Sequence, residues 1–497
     1  MTETRDGLRT GEQDRSRPAG TAIERGGAGF EQAVLGRGFN ALAPEGRPER
    51  IVFPQDEAQV ADAVRQALAT GQRVAVRSGG HSWVSASVQD DGVLIDLGAL
   101  DGIELDRTNR RAVVGPAVRG AQLSPLLEVA GLAFPVGHCG TPALGGFLLG
   151  GGLGLNWGAW KPACLSITRM RIVTADGDVV TASAEENPDL FWFARGGGPT
   201  FPGIVTEFEL ALQPLPRAIR IDTWLFPLTE LDAVARWIDE ASPALPPNVE
   251  LSLVTQGPGR PGGPEAPTAS GAVGGTAAAH PLVLGVAATV FADDEAGAAS
   301  ALAPLGDGPR AHDDGTPVTV LEHVAGLPGR FSTLHEPVDA TYPEGARYLA
   351  DTFFSHGGLT EATAALAALM ERAPSGKSYV LAGMPANGDA ATLLTPGDAA
   401  YGMHDTSLLI VYVIWDDPAD DAANRAWLDE VATALLPTAT GHFLSEADIR
   451  NHPERVAGSF RPADWRRIRR LRTELDPTGV FHTFPLPHEE TATVMVE

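Results

Sequence analysis

Basic side chains are scarce in this chain: 37 Lys and Arg stand against 63 Asp and Glu, leaving a formal net charge of −26. A reader of nucleic-acid backbones needs a basic face, so nucleic acid is excluded as a partner, and an anionic membrane surface is disfavoured on the same ground. No run of about 18 or more apolar residues is present to cross a bilayer. Cysteine is nearly absent, with Cys139 and Cys164 alone. No His/Cys spacing suits zinc, so no metal is expected. The polar stretch 1–27 lacks the apolar segment of an export signal and reads as a disordered leader. Two reduced thiols in a cytoplasmic protein are therefore expected. No period of about 20 to 50 residues recurs, which excludes a repeat architecture. Gly376-Lys377-Ser378 looks like the end of a phosphate loop, but Glu371 stands where its first glycine belongs.

What the chain has in quantity is glycine, 57 residues, with 39 prolines and 43% hydrophobic content, the composition of a loop-rich soluble enzyme. At 497 residues it exceeds one ordinary core and suggests two domains. The organising stretch is Arg77-Ser78-Gly79-Gly80-His81-Ser82-Trp83, at the end of the apolar run Val74-Ala75-Val76. Paired glycines permit a tight turn and let an anion or ring approach the main chain. Arg77, Ser78 and Ser82 supply charge and hydroxyls suited to phosphate oxygens, and His81 projects from the rim. Downstream, Pro135-Val136-Gly137-His138-Cys139-Gly140-Thr141 leads through Gly145-Gly146 into Gly150-Gly151-Gly152-Leu153-Gly154. Neither loop carries the G-x-G-x-x-G dinucleotide fingerprint. Two glycine loops with a histidine and a cysteine, within one domain's length, point to a single large cofactor.

These loops, followed by Gly203-Ile204-Val205-Thr206-Glu207-Phe208, resemble the FAD-linked oxidases with a PCMH-type flavin domain, and within them the berberine bridge enzyme-like group. The resemblance is strong over residues 49–215 and weaker over the last few dozen. It implies an α+β fold, in which a two-subdomain FAD-binding unit is joined to an α/β substrate domain with a large antiparallel sheet covered by helices. It also implies a covalent bond from His81 to the flavin 8α-carbon. In the bicovalent members a cysteine six residues before the glycine pair bonds flavin C6, and Cys139 fills that position. The FAD-binding set is then His81, Cys139, Arg77, Ser78, Gly79, Gly80, Ser82, Thr141, Gly145, Gly146, Gly151, Gly152, Gly203, Ile204 and Val205. His138 either helps lower the Cys139 pKa or packs beside the loop. Two bonds to the ring would leave an open cleft for a bulky substrate. The activity implied is hydride transfer from an alcohol, sugar or natural-product intermediate to FAD, with O₂ reoxidising the flavin and releasing H₂O₂. A dehydrogenase using another acceptor, or a redox-neutral cyclase, is the alternative.

Along the chain, a strand at 51–53 precedes a helix with Asp56 as cap and Gly71 as stop. Strands at 73–76, 93–97 and 111–114 and a helix over 122–130 follow. Asp176-Gly177 marks a hairpin, Asn187-Pro188 a helix start with Asn187 as cap, and Gly203 the start of an alternating strand. The expected division is a leader at 1–27, FAD domain at 28–216, substrate domain at 217–438 and a returning segment at 439–497. In the substrate domain, strands are expected at 250–255, 282–291, 378–383 and 408–415, and helices at 231–241, 359–372 and 419–436. A helix over 462–476 follows. The Gly/Pro-rich stretch 257–280 is an insertion or a lid.

Hydride transfer from an alcohol needs a proton acceptor. The Asn-Tyr element of the resembled group is not evident before the C-terminal helix, where the chain reads Gly441-His442-Phe443-Leu444-Ser445-Glu446. Tyr412 is the first candidate, since Leu408, Ile410, Tyr412 and Ile414 share one strand face. His404 is the second and Tyr379, on a neighbouring strand, the third.

Overall fold

The structure, a computed structural model, describes residues 22–36, 40–257, 282–385 and 394–484. The first sheet holds β1 (Ala22–Glu24), β2 (Arg50–Val52), β3 (Val74–Arg77) and β4 (Val93–Asp96), in the order β1-β2-β4-β3. β2 and β3 both run parallel to β4, which requires a crossover, and helix Glu57–Thr70 provides it. Asp56 Oδ1 accepts the Gln59 N–H at 2.8 Å, and Gly71 stops the helix at φ 69°, as the sequence predicts. β1 corrects one expectation. It falls inside the stretch read as a leader, yet Ile23 packs on the Phe30, Val34, Ile51 and Leu94 cluster.

The second sheet is antiparallel and holds β5 (Ile103–Asp106), β6 (Arg111–Val114), β8 (Ile167–Val173), β9 (Val179–Ser183) and β10 (Ile204–Ala211), in the order β5-β6-β10-β8-β9. β7 (Leu132–Ala133) and β11 (Gln213–Pro214) pair as a short ribbon. The β8–β9 hairpin turns at Asp176-Gly177, with Gly177 at φ 77°. Helix Pro188–Ala194 starts where expected, but Asn187 does not cap it. Its side chain donates to the Thr181 carbonyl instead, at 2.7 Å.

The third sheet has eight strands: β12 (Ala218–Pro227), β13 (Val249–Gln256), β14 (Val283–Ala292), β15 (Glu322–Pro328), β16 (Arg347–Ser355), β17 (Tyr379–Pro385), β18 (Ser407–Trp415) and β19 (Ala439–Gly441). Their order is β15-β12-β14-β13-β17-β18-β16-β19. One face carries Leu409, Val411, Val413 and Trp415, which bury against helices Leu231–Ala241 and Asp421–Leu435. The other carries Leu408, Ile410, Tyr412 and Ile414, which join the core packed around the second sheet with Leu123, Phe134, Ile172 and Phe208. The helix expected over 359–372 is two pieces, Leu359–Ala362 and Leu366–Met370. Buried Thr363 turns its hydroxyl back onto the Leu359 carbonyl at 2.7 Å, which favours the break. From residue 258 on, the stretch 257–280 lies outside the described residues.

The chain end returns to the first sheet. After helix Pro462–Leu475, the Val74 N–H donates to the Val480 carbonyl at 2.7 Å and the His482 N–H to the Val74 carbonyl at 2.8 Å. Residues 480–482 thus cover the open edge of β3.

Candidate active site

A cavity of about 820 Å³ runs between the flavin-type loops and the eight-stranded sheet. One wall is the loop after β3. Gly80 sits at φ 74°, where a side chain is strained, and a Cβ on Gly79 would stand 2.7 Å from the Ala143 Cβ. The two glycine loops therefore touch at Gly79 and need glycine there. Ser78, Gly79, Gly80, His81, Ser82, Cys139, Thr141, Gly145, Gly146, Gly203, Ile204 and Val205 all border the cavity.

Three assignments from the sequence are corrected by placement. Arg77 is not aimed at a phosphate. Its buried guanidinium pairs with Asp96 at 2.7 Å and donates to the Val34 and Ala33 carbonyls at 2.8 and 2.7 Å. It braces β3 against β4 and helix Phe30–Leu35, at a place that also borders the cavity. Gly151 and Gly152 lie behind the wall, at φ 106° and 75°, where a Cβ would strike the Tyr401 ring and Ala163 respectively. His404 does not border the cavity either. Its ring meets Trp157 edge-on at 5.0 Å, and burial pushes its pKa down to about 4.

The opposite wall carries the polar chemistry. Trp83, Tyr342, Tyr379 and Tyr412 form one aromatic cluster, with Tyr379 and Tyr412 ring centroids 4.8 Å apart. The Tyr379 hydroxyl donates to the Tyr342 hydroxyl at 2.6 Å, and the Tyr412 hydroxyl donates to Glu446 Oε2 at 2.7 Å. Burial, then the charge of Glu446, holds the Tyr412 phenol well above its ordinary range. Burial raises the Glu446 carboxyl too, against the opposing pull of Tyr412 and His138. His138 Nε2 lies 3.5 Å from Glu250 Oε1, an ion pair longer than a good hydrogen bond. Burial works against the imidazolium, but Glu250 and then Glu446 outweigh it and raise the His138 pKa. Glu250, Glu446, Asp339 and Tyr342 were not singled out from the sequence. Glu250 lies on β13, Asp339 and Tyr342 at the end of helix Glu336–Asp339 and in the turn after it, and Glu446 in an irregular segment, three places that no local spacing connects.

The linkage candidates differ in character. Burial, then Arg119, pushes the His81 pKa down to about 4 against the pull of Asp339, so the ring is neutral near pH 7. Burial, then Asp339 and Glu446, pushes the Cys139 thiol well up, so His138 does not make it a thiolate. Cys164 is buried in the core, its thiol pushed up to about 12. Both cysteines are free.

The cavity fits a long two-ended cofactor. A Cβ on Gly146 would meet nothing within 4 Å, leaving main chain open to the cavity. At the far end His482 borders the same space, and neither ring nitrogen finds a hydrogen-bond partner among the described residues. Among those residues there is also no group of three or more His, Cys, Asp or Glu that could hold a metal ion, and no helix long and apolar enough to cross a membrane.

The architecture is that of the PCMH-type flavoproteins. It matches 6-hydroxy-D-nicotine oxidase from Arthrobacter nicotinovorans with a TM-score of 0.77, at 22% identity over 93% of this chain and 97% of that one. It matches BBE-like 1 of Physcomitrella patens with a TM-score of 0.74, at 18% identity over 93% and 96%. Residues 48–183 match the FAD binding domain family. The chain is also 31% identical over 422 residues to FAD-linked oxidoreductase ptmO of Penicillium ochrochloron, covering 85% of this chain and 87% of that protein. The chain belongs to the FAD-linked oxidoreductases, and it is an FAD-binding enzyme.

Proposed function

We propose that this enzyme is an oxidase with covalently held FAD, acting on an alcohol, sugar or natural-product intermediate. The observation that carries the reading is one cavity bordered by His81 and Cys139 on one side and by the Tyr342, Tyr379 and Tyr412 cluster on the other. FAD held there would supply a hydride acceptor, with O₂ as the oxidant and H₂O₂ as its product. The main chain at Gly79, Gly80, Gly145 and Gly146 allows the cofactor close approach, and Ser78 and Thr141 supply hydroxyls. A neutral His81 has the free electron pair that attachment at the flavin 8α-carbon would require, and Cys139, on the same cavity, would be the residue to hold C6.

On the substrate side, apolar Ile221, Leu251, Leu381, Leu408 and Ile410 exclude water and orient an apolar body. Tyr412 stays protonated and hands its proton to Glu446 as it takes one from the substrate hydroxyl. Glu446 is thus the final acceptor and Tyr412 the contact group. Residues 22–216 serve as the FAD domain and 217–438 as the substrate domain.

The purified protein should be yellow, and the colour should stay with the polypeptide through acid precipitation. Flavin released quantitatively into the supernatant would refute covalent attachment. Peroxide formed during turnover separates an oxidase from a dehydrogenase with another acceptor.

A further inference from the structure

Asp339 reaches from the substrate side to the loop that carries Cys139. It ends the short helix Glu336–Asp339. Its Oδ1 accepts the Gly140 N–H at 2.9 Å from a residue 199 positions away. His335 Nδ1 donates to its Oδ2 at 2.7 Å. Gly140 has no room for a side chain, because a Cβ there would stand 2.5 Å from His335 Nδ1. The carboxylate is therefore held on both oxygens, one residue along the chain from the thiol, and it borders the same cavity as Cys139 and His81.

The role is not used up by the substrate chemistry, which runs through Tyr412 and Glu446. A clamp on the Gly140 N–H needs only an acceptor, and an amide would serve. What a carboxylate adds is the capacity to take a proton. The thiol needs such help, since the thiolate is the nucleophile and burial keeps Cys139 protonated.

We propose that Asp339, oriented by His335, is the base that takes the Cys139 proton as the second flavin bond forms. This rests on the bicovalent reading above. In the step, the S–H bond breaks with its proton passing to Asp339, and the S–C6 bond forms. The C6 hydrogen leaves as a proton, and the electron pair released in the exchange stays on the flavin until molecular oxygen takes it. Oxygen leaves with two protons as hydrogen peroxide, so one thiol and one O₂ are consumed per bond.

The test uses full-length holoprotein, with flavin-peptide mass spectrometry of samples taken during aerobic incubation after purification. Wild type should carry both attachments. Asp339→Asn keeps an acceptor for Gly140 and should retain the His81 bond, while the Cys139 bond forms slower by on the order of 10²-fold, the scale of general-base removal. Asp339→Ala should be slow in the same way and regain rate with added formate. The sign of the Asn result is decisive. Asp339 charge alone disfavours the thiolate, so a purely electrostatic role predicts a faster bond in Asp339→Asn. A bond that forms at the wild-type rate or faster overturns the proposal. Loss of the His81 bond as well would mark a structural role and also overturns it. A wild type with Cys139 unattached removes the bicovalent reading itself, a result distinguishable from either of these.

Discussion

In the proposed chemistry Tyr412 and Glu446 divide one task between a phenol and a carboxyl that burial moves in the same direction, and this makes the pair testable. Tyr412→Phe should lower the rate of flavin reduction by about 10²-fold or more, measured by anaerobic stopped flow. Unchanged reduction would rule the hydroxyl out. Glu446 must be ionised to accept a proton, and its folded pKa is raised above the ordinary 4.5. The reduction rate should therefore climb with pH through a carboxyl pKa above that value, and Glu446→Gln should lose this rising limb. Much of the site is legible in residues. Glycines flanking His81 and Cys139 mark groups presented to a ligand rather than packed, and the two-residue period of residues 408–414 puts Tyr412 on the cavity face. Glu446 is illegible because it meets Tyr412 from an irregular segment 34 positions away. Arg77 misleads because a sequence displays a charge and not the direction it points. Here Asp96, 19 positions on, claims that charge first.

At the scale of elements, the edge of β3 is the feature most exposed to test. Phe481 is buried at 3% exposure in a cluster with Val60, Val74, Val93 and Ile95. Phe481→Ala should cost about 3–5 kcal/mol in denaturant unfolding, the usual scale for a deleted core phenyl. A loss within about 0.5 kcal/mol, as at surface positions, would show that the returning segment does not hold the sheet. Elements with clean periodicity or a sustained apolar run were readable, such as helix Leu231–Ala241 and strands β13, β14, β17 and β18. β16 was not, because Asp351 and Thr352 interrupt its apolar run. They are buried all the same, Asp351 in an ion pair with Arg455 and Thr352 against the Phe443 main chain. β15 was hidden for the opposite reason: as the exposed edge of the sheet it has no hydrophobic stripe to announce it.

Across the whole molecule, burial depresses histidines at separate sites. His404 and His482 are each pushed down to about 4 from 6.5, by burial first and, for His482, then by Arg73. The unfolded chain binds these protons below pH 6.5 while the folded chain refuses them until about pH 4, so stability falls as pH falls through that window. The melting temperature should drop from pH 6.5 towards 4, and His404→Phe, which keeps a ring against Trp157, should flatten the slope. Equal slopes in wild type and variant would contradict this. His138 works the other way, its contribution fading as pH rises through its elevated pKa. A different consequence follows from the strand that residues 480–482 complete. β3 delivers the loop bearing His81, but its outer edge is covered, among the described residues, by chain made some 406 residues later. At about 5–20 residues per second of synthesis, that edge waits roughly 20–80 s for its partner. A ribosome would already have built both glycine loops while the outer edge of β3 stood bare. Cofactor loading is then expected only once residues 480–482 have been made, and nascent chains stalled before Val480 should emerge colourless.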